Sequence, residues 1–89
     1  MFYLYILKSK KYLYSYVGVT NDLNRRLFEH NSGRNKTTRF YKPFILVQQE
    51  KFNTLSGARK KEWFYKCTPQ GGKAKRKLLA MAGVAAQRA

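Results

Sequence analysis

Residues 16–30 predict a strand that passes directly into a helix, and the rest of the fold has to be built around this unit. The aromatic and β-branched residues Tyr16, Val17 and Val19 favour a strand. Thr20, Asn21 and Asp22 are all residue types that favour a helix N-cap, and the negative charge of Asp22 also suits the positive end of the helix dipole. The side chains that then fall on one helical face are Leu23, Arg26, Leu27 and His30. An arginine and the only histidine of the chain beside two leucines indicate a site at the edge of the core.

The remaining pattern predicts an α+β domain with the element order β-β-α-β-α-α. The predicted elements are strands over 2–8 and 12–19, a helix from 22 to about 31–33, a strand over 44–50, and helices over 55–67 and 73–81. The first two strands are joined by a short polar segment, as in a β-hairpin, and their alternation predicts a tyrosine-rich face. Residues 34–42 are polar and basic and predict a loop. Pro69–Gly72 is expected to separate the last two helices.

The size of the chain, 89 residues, predicts one domain. We expect this domain to span residues 1–82 and an Ala-rich tail over 83–89 to fray. The single cysteine excludes an internal disulfide and a cysteine metal cluster, which fits a reducing compartment. The apolar run at residues 2–7 lacks the basic flank and cleavage site of a signal peptide. We therefore expect a cytoplasmic protein that does not bind a membrane, and a monomer or weak dimer.

The charge balance predicts a polyanionic partner. Nineteen Lys and Arg residues against four Asp and Glu give a net charge of +15. Nucleic acid is the favoured partner, because no long basic amphipathic helix points to an anionic membrane surface. A basic surface without a specific role is the alternative. The cations expected to contact phosphates are Arg34, Lys36, Arg39, Lys73, Lys75, Arg76 and Lys77.

The small number of carboxylates limits the metal chemistry that the chain can support. Hydrolysis of a phosphodiester needs a positioned water and neutralisation of phosphoryl charge, and a divalent ion usually helps. Asp22 is used at the helix start, Glu29 faces away from the leucine face, and Glu50 lies at a strand end. Glu62 falls on an apolar stripe, where a carboxylate seldom lies without a partner. A two-metal cluster is therefore not expected, and a one-metal site on a single carboxylate stays open.

The order and spacing of several short motifs resemble the GIY-YIG nuclease superfamily, in its small stand-alone branch. The first motif corresponds to Tyr3-Leu4-Tyr5 and the second to Tyr16-Val17-Gly18. Arg26 stands where the family has its catalytic arginine, and His30 where members have a histidine or tyrosine. The segment ending at Glu62 resembles the family helix that carries a metal-binding glutamate. The resemblance covers about residues 2–80.

This resemblance implies a three-stranded antiparallel sheet flanked by helices, and an endonuclease that hydrolyses phosphodiester bonds, in DNA rather than RNA. It implies one divalent cofactor, Mg²⁺ or Mn²⁺, held by Glu62, with Arg26 stabilising the phosphoryl charge. The chain departs from the family pattern at Tyr3, where the name motif has glycine. It also has no asparagine after Glu62, although many members carry a late asparagine at the site.

The same resemblance gives roles to the hairpin residues. Tyr16 would orient or deprotonate the attacking water with the help of His30. Tyr5 would line the site, and Gly18 would let the substrate backbone approach closely. Two other classes of protein stay open on this fold: a nucleic-acid-binding module without turnover, and an RNA-associated structural protein.

Each candidate site residue also has a purely structural interpretation. The tyrosines suit any strand, and His30 suits the edge of a core. Gly18 is also compatible with a β-bulge that contacts no ligand. Glu62 has cations at helical spacing, Arg59 and Lys66, and can belong to a surface ion-pair network. Cys67, near a helix end, is expected to be a small apolar filler.

Overall fold

The computed structural model describes residues 1–88, with side chains described through Ala82. Its elements are β1 (Phe2–Ser9), β2 (Ser15–Thr20), α1 (Leu23–Ser32), a short 3₁₀ helix (Arg39–Tyr41), β3 (Phe44–Phe52), α2 (Leu55–Cys67) and α3 (Pro69–Arg88). The strands form one antiparallel sheet in the order β2-β1-β3. The predicted α+β class and the predicted order β-β-α-β-α-α are confirmed.

The central strand β1 is buried on both faces of the sheet. Leu4 and Ile6 point to one face, where they pack with Tyr65 of α2 and with apolar side chains of α3. Tyr5 and Leu7 point to the other face, towards apolar residues of α1 and the start of β3. Burial on both faces explains why this strand has a continuous apolar run instead of a clear alternation. The sheet therefore lies between α1 on one side and the pair α2 and α3 on the other.

The second strand is shorter than the predicted span of 12–19, because it begins at Ser15. The cause is the buried side chain of Ser9, whose hydroxyl accepts hydrogen bonds from the backbone N–H groups of Lys11 and Tyr12 at 3.2 and 3.1 Å. The Ser9 N–H donates to the Tyr14 carbonyl across the same loop at 3.0 Å. The backbone of residues 10–14 is thus turned away from strand pairing.

Helix α1 has the ends that its sequence predicts. The Asp22 carboxylate accepts a hydrogen bond from the Arg25 N–H at 3.1 Å, so the aspartate is the N-cap. Gly33 closes the helix in the left-handed region, with φ of 81°. A residue with a β-carbon would be strained in that conformation, which explains the glycine.

Helix α2 confirms its predicted span, whereas α3 begins before the predicted residue 73. The prediction that Pro69–Gly72 separates the two helices is wrong, because these residues form the first turn of α3. Proline is tolerated at the first position of a helix, where its missing N–H and fixed φ cost little. The Thr68 hydroxyl accepts from the Gly71 N–H at 3.0 Å and so caps the new helix. A β-carbon on Gly71 would overlap the Phe64 carbonyl, and the glycine therefore allows α3 to fold closely against the end of α2.

The predicted domain boundary at residue 82 stays a prediction. The side chains of the proposed tail, 83–89, lie outside the residues described. Among the described residues, no helix combines the length and apolar character that a membrane crossing requires.

Candidate active site

Two tyrosines and a glycine form the floor of the candidate site. The strand register places Tyr5 directly opposite Gly18, and the ring centroids of Tyr5 and Tyr16 are 6.1 Å apart. A β-carbon on Gly18 would lie 2.6 Å from the Tyr5 hydroxyl and 2.9 Å from Tyr16 Cε2. Because Gly18 has no β-carbon, the rings of Tyr5 and Tyr16 can both lie directly over the β2 backbone at this position. Close approach of a substrate at Gly18 stays a prediction, and the space directly above this residue holds the two rings.

His30 joins this floor from α1 and is completely buried, at 0% exposure. Its Nε2 lies 3.0 Å from the Tyr5 hydroxyl, and its ring centroid lies 4.9 Å from that of Tyr16. Its Nδ1 lies 2.8 Å from the hydroxyl of Thr38, which is also fully buried. Thr38 belongs to the segment that the sequence predicts as a loop, and neither its type nor its spacing marked it as a site residue.

Both ring nitrogens of His30 face a buried hydroxyl. Among the described residues, His30 is the only hydrogen-bond partner of the Thr38 hydroxyl. A neutral ring has one acceptor nitrogen and one N–H, so it accepts from one of the Tyr5 and Thr38 hydroxyls and donates to the other. Burial lowers the pKa of His30 to about 4, with a further contribution from the positive charge of Arg26 and opposition from Glu29, so the ring is neutral at pH 7.

Arg26 lies beside the tyrosines, one helical turn before His30. Its interaction with the Tyr5 hydroxyl raises the pKa of Arg26, against the effect of partial burial. Burial raises the pKa of Tyr5 to about 12 although the Arg26 guanidinium acts in the opposite direction, so the phenol stays protonated at neutral pH. Glu29 reaches back from its position away from the leucine face and binds Arg26 Nη1 at 3.1 Å. This contact limits the directions in which the guanidinium can point.

Glu62 lies on α2, which packs against β1 and β2, the strands that carry Tyr5 and Tyr16. Its carboxylate, at 15% exposure, binds Arg59 at 3.0 Å and Lys66 at 3.2 Å. The Lys66 ammonium in turn lies 5.8 Å from the centre of the Tyr16 ring. After burial, the charges of Tyr16 and Glu62 add to the raised pKa of Tyr5. The carboxylate is therefore within electrostatic reach of Tyr5, and it also takes part in the predicted ion-pair network.

The donor atoms fit a metal site of a limited kind. Within the described part of the chain, no group of three His, Cys, Asp or Glu residues is placed to hold a metal ion. Asp22 caps α1, and Glu50 accepts a hydrogen bond from the Tyr65 hydroxyl at 2.9 Å. Mg²⁺ in phosphoryl-transfer sites is often held by one or two carboxylates together with substrate phosphates and water. Glu62 alone can provide such a carboxylate.

The predicted phosphate contacts fall into two groups on opposite sides of the sheet. Arg34, Lys36 and Arg39 are exposed in the segment that follows α1, on the side of Tyr5. The other group belongs to α3, which packs on the side of Leu4: Lys73, Lys75, Arg76 and Lys77. Cys67 is exposed, so the prediction that it fills apolar space is wrong.

The fold and the site together define a nuclease-type domain: a small antiparallel sheet with paired tyrosines, an arginine and histidine on the next helix, and a glutamate on a later helix. The family model described as "GIY-YIG catalytic domain" matches residues 1–76. The chain belongs to the GIY-YIG family.

The similar proteins are small members that carry the name UPF0213. The chain is 40% identical over 62 residues to UPF0213 protein SSP2268 of Staphylococcus saprophyticus, covering 68% of this chain and 74% of that protein. It is 35% identical over 65 residues to UPF0213 protein YazA of Bacillus subtilis, covering 72% and 65% of the two chains. The solution NMR structure of UPF0213 protein BH0048 from Bacillus halodurans matches with a TM-score of 0.52 and 34% identity, covering 91% of this chain and 85% of that one.

Proposed function

We propose that this protein is an endonuclease that hydrolyses phosphodiester bonds in nucleic acid, preferentially in DNA, with one divalent ion, Mg²⁺ or Mn²⁺. The observation that carries this proposal is the grouping of Tyr5, Tyr16, Arg26 and His30 on one side of the sheet, where hydrogen bonds hold the Tyr5 and His30 side chains. The net charge of +15 supports a polyanionic substrate. The proposal includes a cytoplasmic location, on the basis of composition, and action as a monomer or weak dimer.

The chemical roles follow from the protonation states at the site. Arg26 stays charged and presents its guanidinium to the phosphoryl oxygens, where negative charge develops during hydrolysis. Tyr16, which is only partly buried, orients the attacking water. Neutral His30 is hydrogen-bonded through Nε2 to the Tyr5 hydroxyl and holds that phenol in place. Tyr5 stays protonated and, at 1% exposure, helps to position its neighbours at the site.

Glu62 would hold the divalent ion together with a substrate phosphate. When bound, such an ion supplies Lewis-acid stabilisation of the phosphoryl and leaving oxygens. The carboxylate has to exchange its contacts with Arg59 and Lys66 for this role. Both cations are substantially exposed, so the exchange costs little.

The substitution Glu62→Gln tests the proposal. It keeps the size of the side chain and removes the charge that a hard divalent ion requires. We expect metal-dependent cleavage of labelled DNA to be lost while the melting temperature stays close to that of the wild type, because exposed ion pairs contribute little stability. Binding of DNA without metal should not weaken, since a negative charge facing phosphate has been removed.

Asp22→Asn is the matched control, because asparagine retains the helix cap while removing a carboxylate elsewhere on the surface. This variant should cleave like the wild type. A Glu62→Gln protein that cleaves like the wild type, or that unfolds, would show that the glutamate is a structural partner.

One observation favours a second function, a nucleic-acid-binding module or an RNA-associated structural protein without turnover. Glu62 already has two cationic partners, Arg59 and Lys66, as a purely structural glutamate would. This alternative predicts binding of nucleic acid and no cleavage of any single-stranded, flapped or duplex substrate with Mg²⁺ or Mn²⁺.

A further inference from the structure

One face of α2 carries an exposed tryptophan among cations. Trp63 is 61% exposed, although exposure of so large an apolar side chain is unfavourable unless something covers it. The residues that line the open depression around the indole are Ser56, Arg59, Lys60, Trp63 and Phe64, and we call this surface the Trp63 patch. All five residues lie in α2 and are spaced as one helical face, so the patch depends on α2 alone.

Arg59 gives the patch one cation. Its guanidinium binds the Glu62 carboxylate at 3.0 Å, a contact that the proposed metal role of Glu62 would release. Lys60 is exposed and lies on the patch as a second cation. The surface therefore combines an aromatic plane with two positive charges, as nucleic-acid-binding surfaces do.

Charge decides between the occupants that such a surface could take. A second copy of this chain would bring two cationic patches together, in a molecule with a net charge of +15. A nucleotide matches both features of the patch, because its flat base can stack on the indole and its phosphate can neutralise Arg59 or Lys60. In a duplex the bases are stacked on each other and do not present a face to an indole on a helix surface. The occupant is therefore an unpaired nucleotide.

We infer that the Trp63 patch binds one unpaired nucleotide of the substrate, with the base on the indole and its phosphate on the flanking cations. The inference rests on the proposed function and makes the substrate more specific: DNA with a single-stranded segment beside the position of cleavage. The link to the site is direct, because Glu62 precedes Trp63 in α2 and binds Arg59.

Trp63 is the only tryptophan of the chain, so fluorescence excited selectively at the indole, beyond the absorption of the tyrosines, reports on the patch. The metal-free protein is titrated with a short oligothymidylate and, separately, with a blunt duplex of equal length. Binding is followed independently by the anisotropy of a dye on the DNA. We expect quenching of Trp63 emission by the single strand and little quenching by the duplex. Trp63→Leu should weaken single-strand binding by roughly ten-fold or more, as loss of one stacking contact does, and leave duplex binding unchanged.

Trp63→Phe is the matched control, because it retains an aromatic face, and its affinity for the single strand should lie between those of the other two proteins. Binding seen by anisotropy without any change in Trp63 emission would overturn this inference and leave the proposed function standing. Emission that changes with protein concentration in the absence of DNA would assign the patch to a second copy and overturn it as well. Absence of any DNA binding would overturn both the inference and the proposed function.

Discussion

The burial of His30 predicts a specific dependence of stability on pH. The ring has 0% exposure, and its pKa falls from the ordinary 6.5 to about 4. The groups that face it are Arg26 and Glu29 from its own helix, Tyr5 from β1 and Tyr16 from β2. The positive charge of Arg26 adds to the effect of burial, and Glu29 opposes it. The folded protein therefore prefers the neutral imidazole.

The sign of the effect follows from proton uptake in the two states. Above pH 6.5 the ring is neutral in both the folded and the unfolded chain, and its contribution to stability is complete. As the pH falls below 6.5, the imidazole of the unfolded chain binds a proton. The His30 ring of the folded protein does not bind this proton until the pH reaches about 4. The free energy of unfolding should thus fall by ~1.4 kcal/mol per pH unit in this window.

The expected loss between pH 7.5 and pH 5 is about 2 kcal/mol, and it reaches ~3 kcal/mol near pH 4. Against a total stability of ~5–15 kcal/mol for a small domain, this loss is easily measured. Urea unfolding followed by circular dichroism at several pH values between 7.5 and 5 gives the slope. Because the chain has one histidine, the NMR titration of the imidazole C–H protons gives the folded pKa directly.

His30→Gln is the control, because glutamine does not titrate and any slope that remains belongs to the four carboxylates. The slope between pH 6.5 and 5 should nearly vanish in this variant. Wild-type stability that does not change in this range, or an equal slope in both proteins, would refute the argument from burial.

Three further substitutions test individual residues of the site. Arg26→Lys keeps the charge but not the planar fork, and it should slow single-turnover cleavage by at least ~10²-fold; an unchanged rate would remove Arg26 from the chemistry. Thr38→Val leaves the buried Nδ1 of His30 without a hydrogen-bond partner and should lower the free energy of unfolding by ~1–3 kcal/mol in urea titrations, whereas Thr38→Ser should not; equal stabilities would show that this hydrogen bond contributes nothing. Cys67→Ser changes an exposed thiol and should leave both cleavage and melting temperature unaltered; loss of cleavage in a folded variant would place the site elsewhere.

The span of α1 was predictable from sequence, because Asp22 and Gly33 act within a few residues of the ends that they fix. The span of α2 was also predicted, and its first turn is capped by the Thr54 hydroxyl, which accepts from the Gly57 N–H. The starts of β2 and α3 depend on contacts that no periodic pattern records. For β2 this contact is the pair of hydrogen bonds that the Ser9 hydroxyl accepts from backbone N–H groups of the following loop. For α3 it is the close approach of Gly71 to the α2 backbone.

The candidate site divides in the same way. The placement of Arg26 and His30 on one helical face is a matter of spacing, and the motif order pointed to both tyrosines. Thr38 lies eight residues beyond His30, in a segment without regular periodicity, and its hydrogen bond depends on how that segment folds back. A buried polar ring needs a partner on each nitrogen, which is a physical reason to search for one. The sequence alone does not say which residue it is.

The strand order β2-β1-β3 has a consequence for the chain during its synthesis. β1 leaves the ribosome together with β2, but its other neighbour begins only at Phe44, and the helices that cover Leu4 and Ile6 follow still later. Until then the hairpin has an unpaired edge and an uncovered apolar face, the two features through which nascent chains associate. Lys10 and Lys11 lie in the exposed hairpin loop. Because every copy carries these charges, electrostatic repulsion opposes the association of nascent chains before β3 is made.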